Sequence, residues 1–393
     1  MSPSPDSKTT PNALVRFARK LYHPLGFSKG YNFTLWFVFG GALLGFVLAR
    51  LQYLSLTSRF CPATPANDGS TGLPSACYWV TQFPRYKVAM GLHLATSLPG
   101  ALLAVFQFVP AIRHRYILYH RIAGYAAVLL MVIANAGAMM LADTAMGGDL
   151  VTQTFIGLVG LGTTATFGLA LYNIRRQQLD QHRAWMLRTW FYLGFIITLR
   201  LIQALIATVL TNLPGGTTAP RPDHHAPHAL MSCPQLLYVF AHNATALHRA
   251  FPVCAPANAA LLHAQDGVVP VPARLGPDRA ENAAALEVSF AAAGSLALAL
   301  HAVGVEVYLR LTGAEEDRLR RVSWERQRAR GFRNPGSAGL VRDRVGDGVP
   351  WVTREEEGPV VAEGKGGDGS SAEGVVGAED GKRGGEDVLG MLA

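Results

Sequence analysis

Two short signatures set a histidine beside an arginine where a basic connection meets a long apolar run: HRIAGY at residues 120–125 and HRAWMLR at 182–188. Imidazole can ligate a metal or carry a proton near neutral pH. Guanidinium offers a fork of donors suited to carboxylate or phosphate. Three more ionisable residues, His93, Arg200 and His301, interrupt apolar runs. A charged or titratable side chain at membrane depth is costly, which makes it a functional candidate by default. The candidate ligand-binding set is therefore His93, His120, Arg121, His182, Arg183, Arg188, Arg200 and His301.

Two chemistries fit these residue types. In the first, donors inside a helix bundle hold a lipid or a small anionic ligand, with transport as a variant. In the second, histidines on adjacent helices serve a membrane redox protein that binds haem b or a quinone. His120 with His182, or His93 with His301, would then be the pair. His120 and His182 share a depth near the surface, whereas His93 has no histidine at its own level, so a two-haem arrangement with a pair on each side does not fit. A third, purely structural reading makes His120 and His182 helix-start residues that hold phosphate headgroups with their arginines, while Trp185 anchors the interface. Arg200 lies twelve residues beyond Arg188 in one apolar run, about 18 Å along a helix. Spans two to five contain no carboxylate. Arg200 is therefore expected to donate to helix carbonyls or to Asn or Gln, to sit in a watery cavity, or to bind an anionic group of a ligand. In span six, Glu306 shares a level with Arg188, His182 and His120.

The elements that must position these residues are membrane spans. Of 393 residues, half are apolar and 16% are charged, well below the roughly 25% charged in soluble domains. Six apolar runs are long enough to cross, at about 33–55, 88–111, 119–142, 151–173, 184–211 and 287–311; about 20 helical residues suffice. The fold class is all-α, a polytopic bundle of six transmembrane helices. The first run begins too far into the chain and is too long for a cleaved signal. The net charge of +8 comes from arginines that flank the spans, which argues for orientation in a bilayer rather than for nucleic acid.

Positive charge sets that orientation. Arg113, His114, Arg115 and Arg121 sit between spans two and three, and Arg175, Arg176 and Arg183 between spans four and five. The 3–4 connection carries Asp143 and Asp149 without Lys or Arg. Both termini are thus expected in the cytosol, of a plasma membrane or endomembrane protein. All four cysteines, Cys61, Cys77, Cys233 and Cys254, fall in the two loops assigned to the outside, where disulfides persist. Pairing within each loop is the first choice among three pairings. The sequon at Asn243 shares that side, while Asn32 sits at the cytosolic edge of span one.

The remaining organisation follows. Residues 1–32 form a cytosolic N-terminal segment and 33–211 a five-helix bundle. Residues 212–286 make a large outer loop, in which QLLYVFAHNATALHRA forms a short surface helix. Residues 287–311 form span six. Residues 312–393 are a cytosolic tail, basic at first and disordered from about 334 on. The basic part would be drawn to anionic lipid. His224, His225 and His228, with Asp223 as the nearest carboxylate, read as a polar loop rather than a metal site, so no metal site is firm. HExxH and GxSxG with an in-span His partner are absent, as is an in-membrane aspartyl pair, which disfavours hydrolysis chemistry.

An in-span His, the HRIAGY helix start and the HRAWMLRTWFYLGFIITLR helix together resemble the family of membrane proteins called domain of unknown function 2306. The likeness covers roughly residues 88–205. His93, His120, Arg121, Gly124, His182, Arg183, Trp185, Met186, Arg188 and Arg200 stand at the motif positions. The resemblance implies an α-helical membrane bundle and no particular reaction.

Overall fold

The computed structural model describes residues 13–62, 73–212, 227–255, 268–346, 348 and 351. Residues 1–349 form one compact unit and 350–393 a second, of which only Trp351 is described. Among the described residues six helices are long and apolar enough to cross a membrane. They are span one (Gly30–Leu54), two (Pro84–Gln107), three (Ile117–Met140), four (Leu150–Arg175), five (Leu179–Asn212) and six (Arg279–Leu311). The chain is a multi-pass membrane protein.

Spans four and six begin earlier than hydropathy alone indicates, because an aspartate caps each of them. Asp278 accepts from the amides of Ala280 and Glu281 and so starts span six eight residues ahead of its apolar run. Asp149 accepts from Val151 N, Thr152 N and the Thr152 hydroxyl at the head of span four. Such a side-chain cap satisfies amides that have no partner within the helix. Asp149→Ala should lower the stability of the detergent-solubilised protein by about 1 kcal/mol; an unshifted thermal midpoint would contradict the capping role.

Small residues let neighbouring spans approach, as expected where lipid offers no hydrophobic drive between helices. A Cβ on Gly137 of span three would lie 2.9 Å from Ala89 O and from His93 N of span two. Spans three and four are joined by buried Asn135, whose amide donates to Gly160 O at 3.2 Å and to the hydroxyls of Thr163 and Thr164 at 3.0 Å. Phe167 of span four packs edge-on against Trp190 of span five. Phe155, Phe195, Leu199, Phe290, Ala293 and Ala297 fill the space among spans four, five and six. Span one leans on span two through Trp36 Nε1, which donates to Val105 O at 3.1 Å. Span five breaks at Gly194 into helices Leu179–Leu193 and Phe195–Asn212.

The two ends differ in chemistry. The disulfide end carries Cys61–Cys77 and Cys233–Cys254, each pair closed within its own loop, as expected from the sequence. The large loop departs from the expected single helix. Among the described residues it holds two short α-helices, Cys233–Val239 and Ala244–Ala250, and an antiparallel pair of strands, β1 (His228–Ser232) and β2 (Val268–Pro272), registered Leu230 against Pro270. Met231, Leu236, Val239, Leu247 and Val271 form an apolar core continuous with Ala280, Ala283 and Ala284 of span six. That burial explains why VVPVP forms a strand despite two prolines, which a two-stranded edge tolerates. Asn243 is exposed and caps the second short helix. Of the three loop histidines, His224 and His225 lie outside the described residues, and His228 opens β1.

At the arginine-rich end, helix Gly313–Ala329 turns back under the bundle. The expectation of disorder from residue 334 is corrected for the first part of the tail. Gly339 N donates to Gln178 Oε1 at 3.1 Å, and Leu340 N to Asn173 Oδ1 at 2.9 Å. Arg320 reaches Asp343 at 2.6 Å. Backbone hydrogen bonds to buried amides supply the order that composition does not. The rest of the expected disordered tail lies outside the described residues.

Candidate functional site

His93 is held between helices. Its Nδ1 donates to Ala134 O at 2.9 Å, beside the close approach at Gly137. His301 uses both nitrogens. Nδ1 donates to Phe191 O at 2.7 Å, a carbonyl next to the Gly194 break, and Nε2 accepts from the Thr198 hydroxyl at 2.8 Å. Those bonds support the broken turn of span five and leave His301 no nitrogen for a ligand. The level inferred for Glu306 and Arg188 becomes a contact: Arg188 Nε donates to Glu306 Oε1 at 2.6 Å and Nη2 to Oε2 at 3.0 Å. The forked pair neutralises both charges inside spans five and six.

Arg200 has a Gln partner, one of the several alternatives open to it. Its Nη1 donates to Gln203 Oε1 at 2.9 Å, and Gln203 Nε2 donates to Leu286 O at 2.7 Å. Arg183 donates to the Thr312 hydroxyl at 3.1 Å and lies over the Tyr308 ring. Tyr308 in turn donates to Asn32 Oδ1, which engages the second sequon in a contact between spans. Arg121 is exposed.

Buried side-chain atoms without a hydrogen-bond partner among the described residues occur at both ends: Ser75 Oγ, Arg274 Nε and Glu287 Oε2 at the disulfide end, and three more at the arginine-rich end. His120 Nδ1, Gln107 Nε2 and Trp185 Nε1 are buried and have no hydrogen-bond partner among the described residues. A buried polar group without a partner costs about 1–3 kcal/mol, so three near one end of a bundle call for an explanation. Helix geometry places them. Gln107 closes span two, and its Oε1 lies 3.4 Å from where a Gly124 Cβ would stand. Gly124 is one turn above His120 on the same face of span three. His182 opens span five and lies within electrostatic range of His120. Trp185 follows His182 by three residues, with the Arg188 guanidinium 4.8 Å from its ring centroid.

His182 itself is oriented. Its Nδ1 donates to Ala170 O at 2.9 Å, which leaves the Nε2 lone pair directed away from span four. Gln107 escaped the sequence reading because one amide ending an apolar run looks like an interfacial residue. The available signal was its place immediately before FVPAIRHR.

The field at this end is positive. Burial lowers the Arg113 pKa below its ordinary value, and Arg183 and Arg318 push the same way while Glu315 opposes them. His114 is also lowered, first by burial and then by Arg113 and Arg318. Glu315 is held below the usual carboxylate range by its hydrogen bonds from Arg318. The arrangement can receive hydrogen-bond acceptors and negative charge. Among the described residues no three His, Cys, Asp or Glu side chains converge on a point where a metal ion could sit.

Residues 90–218 match the family described as "Predicted membrane protein (DUF2306)". That stretch contains Gln107, Arg113, His120, His182, Trp185 and Arg200, and excludes span six. No curated protein matches the chain, and no solved structure matches it.

Proposed function

We propose that this protein binds the acidic or carbonyl-bearing head of a lipid or small amphiphile at the arginine-rich end of spans two, three and five. The observation that carries the reading is the pair of buried, partnerless groups around Gly124, the Gln107 Nε2 donor and His120 Nδ1, which donates in its Nδ1–H tautomer. An oxygen-rich head would satisfy both, within the positive field of Arg113 and its neighbours. Lipid reaches such a site laterally between helices, so the ligand need not be water-soluble. By the positive-inside rule this end faces the cytosol, which puts Asn243 on the side where glycosylation occurs.

The test separates ligand binding from structure. Replacing an unsatisfied buried donor by an apolar group of similar shape is neutral or stabilising for the empty protein. Gln107→Leu and His120→Phe should therefore keep or raise the thermal midpoint of delipidated protein. Both should lose the molecule that co-purifies with the parent in mild detergent, as read by mass spectrometry. With the parent ligand at about 100 times its Kd, the parent alone should gain about 2.7 kcal/mol. An unchanged set of co-purifying molecules in both variants would reject the reading.

A second reading has its own support. His182 Nδ1 bonded to a backbone carbonyl is the state in which Nε2 ligates iron, and His120 is its neighbour across the end of the bundle. The two readings ask opposite things of His120, a proton for an acceptor or a lone pair for haem. Protein produced with haem available and purified colourless would remove the haem reading. A Soret band abolished by His120→Ala and by His182→Ala would establish it.

A further inference from the structure

A second cationic cluster lies towards the disulfide end, between spans one and five. Arg50 ends the helix Gly41–Arg50, and its Nη1 donates to the Tyr53 hydroxyl at 2.6 Å. The same guanidinium lies 5.0 Å from the Tyr53 ring centroid and 5.5 Å from that of Phe46. Helix Phe195–Asn212 of span five touches helix Gly41–Arg50, and on it Arg200 is held by Gln203, whose carbonyl is aimed at it by the bond to Leu286 O. Arg50 and Tyr53 are the charged or titratable groups within electrostatic range of Arg200.

Among the described residues neither arginine has a carboxylate partner. Two like charges held together in a region of low dielectric repel each other unless an anion lies between them. Each guanidinium has donors left over, and Tyr53 accepts from Arg50 with its own proton free to donate. Leu48 and Leu54 on span one and Leu201 and Leu205 on span five are all exposed. Acyl chains would meet those leucines while a headgroup met the arginines.

We propose that Arg50, Tyr53 and Arg200, with Gln203 as a positioning residue, bind the phosphate of an anionic phospholipid from the leaflet on the disulfide side. The phosphate oxygens accept from both guanidinium groups and from the tyrosine hydroxyl. This site is independent of the donor cluster at the arginine-rich end, since it uses other residues and the opposite leaflet.

Native mass spectrometry of the full-length protein in mild detergent tests it, with phosphatidylglycerol, phosphatidylcholine or inorganic phosphate as probes. All proteins carry Gln107→Leu, so that lipid held at the arginine-rich end does not contribute. Phosphatidylglycerol should bind more tightly than phosphatidylcholine, and Arg50→Gln with Arg200→Gln should weaken it at least tenfold. Arg200→Lys, which keeps the charge but not the fork, should fall between. Inorganic phosphate at millimolar concentration should fail to displace the lipid. Displacement by phosphate would replace the lipid by a soluble anion as the occupant and overturn the proposal. So would equal phosphatidylglycerol binding by a double variant that still forms both disulfides. If the double variant does not fold, Arg50→Gln and Tyr53→Phe are measured singly, and unchanged binding in both overturns the proposal as well.

Discussion

Gly137→Leu should abolish accumulation of folded protein. The position looks mild in sequence, one glycine in the run IANAGAMM. In the fold it is where spans two and three touch through their backbones. A Cβ there would meet Ala89 O and His93 N at 2.9 Å and His93 Cα at 3.2 Å. Backbone atoms cannot rotate out of the way as a side chain can, so the helices must separate. Separation would also stretch the His93–Ala134 hydrogen bond and undo packing along the whole pair. Overpacking of a side-chain-lined core commonly costs 1–3 kcal/mol, and a clash with backbone belongs at about 3 kcal/mol or above. Gly157→Leu is the control, because a Cβ at Gly157 meets nothing within 4 Å. It should be tolerated, and the better helix propensity of Leu should offset small losses. Comparable yield and thermal midpoint for the two variants would refute the close-approach argument.

Gln178→Ala should release the segment that follows helix Gly313–Ala329. Gln178 is fully buried in the turn between spans four and five, and its amide uses all four of its hydrogen-bonding positions. Nε2 donates to Asp180 Oδ1 at 2.8 Å and to Gly336 O at 3.0 Å. Oε1 accepts from Gln327 Nε2 at 3.0 Å and from Gly339 N at 3.1 Å. Truncation leaves Asp180, Gln327 and two backbone groups with lost partners at a buried site, a local cost of about 3 kcal/mol by the penalty for unsatisfied buried groups. The expected result is rapid proteolysis within residues 331–346 while the spans remain protected. Gly339→Val should do the same, because its Cβ would stand 2.5 Å from Asn173 Oδ1 and Gln178 Cβ. Gln181→Ala, which removes a 3.2 Å bond to Asp180 Oδ2, the carboxylate oxygen Gln178 does not use, should leave the cleavage rate alone. A parent-like rate for Gln178→Ala would show that the segment is held by something else. The same turn starts the helix that carries His182, so loss of ligand in Gln178→Ala would connect the docked segment to the donor cluster.

Some of the site was legible in the residues and some was not. The HRIAGY and HRAWMLR signatures did lead to the arginine-rich end, and His120 and His182 do lie within range of each other there. The level shared by Arg188 and Glu306 followed from counting helical rise. Gln107 and Trp185 were not recognisable as members of the cluster, because their unspent donors depend on which neighbours fail to reach them. His301 read as a ligand candidate, yet its two bonds repair the break at Gly194, a kink that the apolar run FYLGFIITL conceals. The Gln178 network was invisible for a related reason: RRQQLDQ reads as a solvated turn until residues more than 140 positions later fold over it.

What the chain determined by itself is the set of crossings, their order and the loops that hold each cysteine pair. Hydropathy is a local property, and about twenty apolar residues in a row have few other stable arrangements in lipid. Tertiary structure decided which polar groups inside the spans meet and which are left over. That outcome depends on the rotation of each helix about its axis and on how closely glycines let helices approach. Both are settled only when all six spans pack at once.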